Sequence, residues 1–235
     1  MKEIFILKLP QCEILLSSET GQEILFSAGG RKPNKKWFMN VAEGKEIFCA
    51  DRGVEICEAC DIFPSFVVGD FDSAKKSAID WIAEKKISFE RHPKDKDFPD
   101  LKLALIHAEE KYKNFSAVVT GIFGGRFDHI FSTIFSLADL KNKIILADEK
   151  EIIFFLHGGE FSTINFFKRP NVLSLLPITE ICDGVTIDNV HWQLDNSMLK
   201  QNCPNYISNR VEADKINIKI SSGILACYLC FENFL

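Results

Sequence analysis

The chain has 235 residues, enough for one large hydrophobic core or for two smaller ones. Apolar residues make up 46% and charged residues 26%, which argues against a disordered, collagenous or coiled-coil chain. The formal net charge is −5, and most of it sits in residues 51–100, where twelve acidic side chains face eight basic ones; generic wrapping of nucleic acid is therefore disfavoured.

The opening Met1-Lys2-Glu3 and the short apolar run after it, broken by Lys8 and Pro10, do not form an export signal, so a cytoplasmic protein is expected. Nor is there an apolar run of the roughly 20 residues that a membrane helix needs. Two apolar stretches around Pro10-Gln11 suggest a hairpin over residues 1–22, prefixed to the main domain. From residue 24 strand and helix patterns alternate. Strands are expected at 24–26, 46–50, 66–68, 87–90 and 117–119, with helices at 35–43, 74–86, 99–113 and 128–140. Such alternation implies βαβ units, hence a mainly parallel, Rossmann-like α/β sheet over residues 1–147, with ligands at the carboxyl ends of its strands.

Near Lys143 the texture changes to short strands at 144–147, 151–156, 172–176, 185–187, 216–220 and 224–229, separated by Gly, Pro and Asn turns. Residues 148–235 therefore read as an all-β sandwich domain. Eight cysteines include two C-x-x-C pairs, Cys57 with Cys60 and Cys227 with Cys230. The first pair falls on a helix and the second on a strand, where positions three apart face opposite ways, so buried free thiols are expected rather than a zinc site.

Three loops carry the chemistry. Gly69-Asp70-Phe71-Asp72-Ser73 follows a strand, and carboxylates two apart in an extended loop can converge on one hard cation such as Mg²⁺. Helix capping by Asp72 or Ser73 is the competing use. The second loop, Lys94-Asp95-Lys96-Asp97-Phe98-Pro99-Asp100, suits a metal-bound polyphosphate, although Pro99 and Asp100 are also ordinary helix-start residues. The third, Gly121-Ile122-Phe123-Gly124-Gly125-Arg126-Phe127-Asp128-His129, combines close backbone approach, a helix start and a guanidinium fork. It matches neither the Walker A nor the dinucleotide fingerprint. Gly30 and Arg31 after the first strand and Asp51 after the second offer further phosphate contacts.

In order and spacing, the three motifs resemble those of the thiamin pyrophosphokinase family, and the resemblance spans nearly the whole chain. It implies a homodimer that transfers the pyrophosphoryl group of ATP to the hydroxyl of thiamine with Mg²⁺. Asp70, Asp72 and Asp100 would hold the metal, and Arg126 and Asp128 would complete the catalytic set. Gly30, Arg31, Asp51, Ser73, Lys96, Asp97, Gly121, Gly124 and Gly125 would bind ATP and its phosphates. Trp192, Ser208 and Asn209 resemble the family's thiamine-binding residues, contributed across the dimer interface, and an indole suits a cationic thiazolium. Two positions and one segment depart from the family pattern: Pro99 replaces a usual Thr, Thr133 a usual Asn, and Arg52-Gly53-Val54-Glu55 a usual Gly-Gly-Ala-Asn. The alternatives are a pyrophosphokinase acting on a pterin alcohol and a non-catalytic nucleotide-binding module. Neither nucleic acid nor a membrane is expected as a partner.

Overall fold

A computed structural model describes residues 4–17, 21–72, 74–92, 100–203 and 205–232. The chain divides into two compact units, Gly21–Phe131 and Met1–Thr20 with Ser132–Leu235.

The N-terminal hairpin pairs β1 (Ile4–Lys8) with β2 (Cys12–Ser17) in antiparallel register. Along β1, exposed Ile4 and Ile6 alternate with buried Phe5 and Leu7, the period-two signature of a sheet covered on one face.

The α/β unit begins with β3 (Gln22–Ser27) and α1 (Lys35–Ala42), whose first turn is capped by Asn34 Oδ1 accepting from the N–H groups of Lys36 and Trp37. Next come β4 (Glu46–Ala50), a 3-10 turn Asp51–Gly53, α2 (Val54–Cys60), β5 (Phe66–Gly69) and α3 (Lys76–Glu84). The unit continues with β6 (Phe89–Arg91), α4 (Asp100–Lys111), β7 (Phe115–Thr120) and the start of α5 (Phe127–Ala138), whose residues from Ser132 onward are assigned to the other unit. The strands lie in the order β7-β3-β4-β5-β6, and each neighbouring pair is parallel. Every residue of β5 and β7 is buried, as expected of parallel strands covered on both faces. Phe26 and Phe48 stack across the centre with ring centroids 5.6 Å apart.

The remaining strands are β8 (Lys143–Ala147), β9 (Glu151–His157), β10 (Phe161–Phe166), β11 (Val172–Pro177), β12 (Ile181–Ile187), β13 (Leu194–Lys200), β14 (Lys215–Lys219) and β15 (Ile224–Cys230). Within the β unit, β11, β15, β9 and β8 lie side by side, and a second sheet runs β1-β2-β10-β14-β12-β13. The hairpin therefore joins the β unit, through antiparallel pairing of β2 with β10. Sequence pattern alone prefixes the hairpin to the α/β domain, because a pairing between positions some 150 apart in sequence leaves no local pattern.

Two strands were not anticipated. Along β10 only Ser162, Ile164 and Phe166 are buried, and β13 buries only Leu199, so neither offers an apolar run long enough to stand out. All eight cysteines are free thiols. Cys49 and Cys57 lie with their sulfurs 3.5 Å apart in the core of the α/β unit, and burial pushes the Cys49 thiol well above its ordinary pKa. Among the described residues no helix is long and apolar enough to cross a membrane.

Candidate active site

Parallel strands bring their carboxyl ends, and the loops that follow, to one edge of the sheet. Beyond β3 and β7 the main chains stay in register. Ala28 N–H donates to Thr120 O at 2.9 Å, Gly30 N–H to Gly121 O at 2.5 Å and Arg31 N–H to Phe123 O at 2.7 Å. This approach leaves no space for side chains at the glycines. A Cβ on Gly30 would lie 2.4 Å from Gly121 O, and one on Gly121 would lie 2.1 Å from Ala28 O. Gly121 also has a φ of +74°, which other residues adopt only with strain. The Arg31 guanidinium lies 5.7 Å from the centre of the Phe123 ring, a cation–π contact that ties the two loops together.

Beyond β4 and β5, on the side of β3 away from β7, stands an acidic group. Asp51 follows β4 with a φ of +48°, and Asp70 follows β5, the adjacent strand. Phe71, between the two acids of its loop, has a φ of +62° and a buried side chain packed edge-on to Phe89. That anchor lets the carboxylates on either side turn outward, and Asp70 Oδ1 accepts the Asp72 N–H at 2.9 Å. Gly69 gives Asp51 room, since a Cβ there would lie 2.9 Å from Asp51 Cα. As a result, carboxylate oxygens of Asp51, Asp70 and Asp72 lie within 4.8 Å of one another. Three hard oxygen donors at that separation, on loops at a strand edge, fit a divalent cation such as Mg²⁺. Positive φ at Asp51 and Phe71 is backbone strain concentrated where the acids converge.

Asp100 is the first residue of α4, partly buried, and lies outside this group. Ser73, Lys96 and Asp97 lie outside the described residues. Gly124 and Gly125 are exposed, and a Cβ on Gly125 would meet nothing within 4 Å. At the start of α5 Asp128 grips Arg126 with both oxygens, from Nε at 3.1 Å and from Nη2 at 2.6 Å. The guanidinium holds the Asp128 carboxyl below its ordinary pKa, helped by the His129 N–H. Both side chains are exposed, so the fork stays reachable from solvent.

Sequence reasoning assigned Asp51 to phosphate and missed its place in the acidic group. The available signal was an acid directly after a strand that neighbours the Asp70 strand. It also missed Glu55, almost wholly buried on α2, which forms an ion pair with Lys32 and accepts the Lys75 N–H at 3.2 Å. Burial pushes this carboxyl up, but Lys32 and the Lys75 N–H more than offset that and hold its pKa below the ordinary value. Glu55 thereby ties the loop after β3 to the start of α3.

The other predicted residues lie in the β unit. Trp192 is 58% exposed, and the edge of its ring meets His191 with centroids 4.7 Å apart. Ser208 is exposed, with a φ of +61° and its N–H donated to Ser174 Oγ at 3.1 Å. Asn209 is buried, and its side chain bonds the Trp192 main chain. Two turns are thus brought together, stitched further by His191 N–H to Arg210 O at 2.9 Å and Glu212 N–H to Asn189 O at 2.9 Å.

Comparison with known proteins agrees with this arrangement. Residues 40–147 match the family described as thiamin pyrophosphokinase, catalytic domain, and residues 162–225 match thiamin pyrophosphokinase, vitamin B1 binding domain. The chain is 28% identical over 178 residues to thiamine pyrophosphokinase of Bacillus subtilis, covering 74% of this chain and 82% of that protein. It is 26% identical over 172 residues to thiamin pyrophosphokinase 1 of Caenorhabditis elegans, covering 69% of each. A solved structure of thiamine pyrophosphokinase from Bacillus subtilis shares the fold with a TM-score of 0.80 at 24% identity, over 90% of this chain and all of that one. The two family matches fall on the two parts that carry the acidic group and the Trp192 turn, and together they span most of the sequence; the chain belongs to the thiamin pyrophosphokinase family.

Proposed function

We propose that the protein is a thiamine diphosphokinase, transferring the pyrophosphoryl group of ATP to the hydroxyl of thiamine to give thiamine diphosphate and AMP. The observation that carries this reading is the Asp51, Asp70 and Asp72 group at the ends of adjacent parallel strands, within the stretch that matches the family's catalytic domain. In the reaction the thiamine hydroxyl oxygen attacks the β-phosphorus in line. The bond from that phosphorus to the oxygen bridging it to the α-phosphorus breaks, AMP leaves, and the hydroxyl proton is released.

Most of the work is positioning and charge neutralisation. Asp51, Asp70 and Asp72 would hold Mg²⁺, with Asp100 supplementing them, and the bound ion would supply neutralisation of the polyphosphate charge. Gly30, Gly121, Gly124 and Gly125 keep side chains away from the phosphates, and Arg31 and Ser73 with Lys96 and Asp97 complete the nucleotide contacts. Arg126, held ready by Asp128, offers its fork to phosphate oxygens as negative charge builds up on them.

On the same reading the β unit is the vitamin-binding and dimerisation part, with Trp192, Ser208 and Asn209 forming the thiamine site across a homodimer interface. Along α5, exposed Phe127 and Phe131 of the α/β unit and Phe135 of the β unit present further aromatic surface, so the surface buried against a second chain would extend beyond the β unit. Eight free thiols support a cytoplasmic location. The family matches give no support to a pterin alcohol as acceptor or to a non-catalytic role.

The test is direct. Incubation of the purified protein with MgATP and thiamine should yield thiamine diphosphate and AMP in equal amounts. Formation of ADP, or no product, would overturn the assignment.

A further inference from the structure

We propose that Asn209 is a positioning residue, serving thiamine by fixing Trp192 rather than by touching the vitamin; the inference rests on the assignment of Trp192 to the thiamine site. Trp192 lies in a turn between β12 and β13, and no strand partner takes up its main-chain groups. One side chain does so instead. Trp192 N–H donates to Asn209 Oδ1 at 3.0 Å, and Asn209 Nδ2 donates to Trp192 O at 2.8 Å. The same Oδ1 accepts the Arg210 N–H at 2.9 Å. An amide offers two acceptor sites and two donor hydrogens, so this one has filled both acceptor sites and one donor with main chain.

Asn209 is itself rigidly placed. Its N–H donates to Leu173 O at 2.8 Å and its carbonyl accepts the Leu173 N–H at 2.9 Å, which fastens it to β11. It is 7% exposed, whereas Trp192 is 58% exposed. The buried amide therefore faces the main chain of the turn, and the indole faces outward. Ser208 (φ +61°) has a left-handed backbone that its residue type adopts only against local preference, and Asn189 (φ +57°) takes up the same conformation as a residue that adopts it readily. Asn189 Nδ2 donates to Lys215 O at 2.9 Å and His191 Nδ1 lies 2.9 Å from Glu212 Oε1, so the turn is also supported at its other end.

Removing the amide leaves three part-buried main-chain groups, Trp192 N–H, Trp192 O and Arg210 N–H, without their partner, and the turn must shift to find water. The ring, which sits on that turn, moves with it.

A double-mutant cycle in the full chain tests this, with Asn209→Ala, Trp192→Ala and both together, reading kcat and the KM values for thiamine and ATP. Asn209→Ala should raise the thiamine KM about tenfold and leave the ATP KM unchanged, and in the Trp192→Ala background it should change the thiamine KM less than about twofold. Effects that multiply would mean a direct contact with thiamine and would overturn the inference. Parallel losses in kcat and in both KM values would mean a merely structural role, with the same consequence. If Trp192→Ala leaves the thiamine KM unchanged, the thiamine-site assignment fails and the inference falls with it. Should Asn209→Ala not fold, Asn209→Asp carries the cycle, since it keeps the size and the acceptor for the Trp192 N–H while setting an oxygen against Trp192 O.

Discussion

The acidic edge of the α/β unit and the Trp192 turns of the β unit are built by opposite means. At the acidic edge, main chain packs against main chain, glycines remove the obstructing Cβ atoms, and the carboxylates turn out toward a common point. At the Trp192 turns the backbone is irregular, and a buried side chain, Asn209, bonds it into shape so that one aromatic ring can stand exposed. The first arrangement suits a ligand recognised by charge, where closely spaced oxygens must be held in place despite their repulsion. The second suits a flat cationic ring, where the angle of a single surface matters most.

Four experiments press on this contrast. The largest effect belongs to the acids: Asp72→Asn should lower kcat about 100- to 1,000-fold, as loss of a group that steers transition-state charge does, while circular dichroism stays unchanged. The Asp70 Oδ1 bond to the Asp72 N–H uses main chain and survives that substitution. Undiminished turnover would remove Asp72 from the site.

Next in size is the glycine scaffold. Gly121→Ala places a Cβ 2.1 Å from Ala28 O on a backbone with a φ of +74°. It should cost about 3 kcal/mol or more. In a chain of this size that is a melting temperature lower by about 6–12 °C, measurable by thermal unfolding.

Trp192→Ala should raise the thiamine KM by about tenfold to thirtyfold, the size of a desolvated cation–π contact, without altering the melting temperature by more than about 2 °C. A large loss of stability would make Trp192 a packing residue and erase the contrast.

The smallest effect concerns pH. Glu160 is partly buried beside Lys143 and His157; burial raises its carboxyl pKa, but bonds from the His157 ring, the His157 N–H and Lys143 prevail and lower it to about 2. The folded pKa lies below the unfolded one, so this stabilisation is present above about pH 4.5 and is lost as pH falls toward about 2. Glu160→Gln should flatten the acid side of the stability profile by about 1–3 kcal/mol, read by urea unfolding at pH 3 and pH 7.

The α/β unit was largely legible in sequence because its information is local. Apolar runs such as Ala117-Val118-Val119 mark strands buried on both faces, and the glycines and acids follow them within a few residues. The loop Gly69-Asp70-Phe71-Asp72 could be assigned to a cation from spacing alone, but the contribution of Asp51 needed the lateral neighbourhood of β4 and β5, which spacing does not contain. In the β unit Trp192 could be singled out only by resemblance. The role of Asn209 was hidden because it depends on a turn 17 residues away in sequence. Glu55 was hidden for a related reason, since a charged residue early in a helix looks solvated until Lys32 and Lys75 are seen around it.

The pairing of β2 with β10 gives the first hairpin a protective duty. A chain shortened to begin at Gly21 would keep every residue of the acidic edge, yet β10, still paired with β14, would lose its other partner along Ser162–Phe166 and expose a row of unpaired amides and carbonyls on that side. Two such molecules could then zip together along that bare strand, so trimming a segment remote from the chemistry would convert a well-behaved enzyme into one prone to self-association.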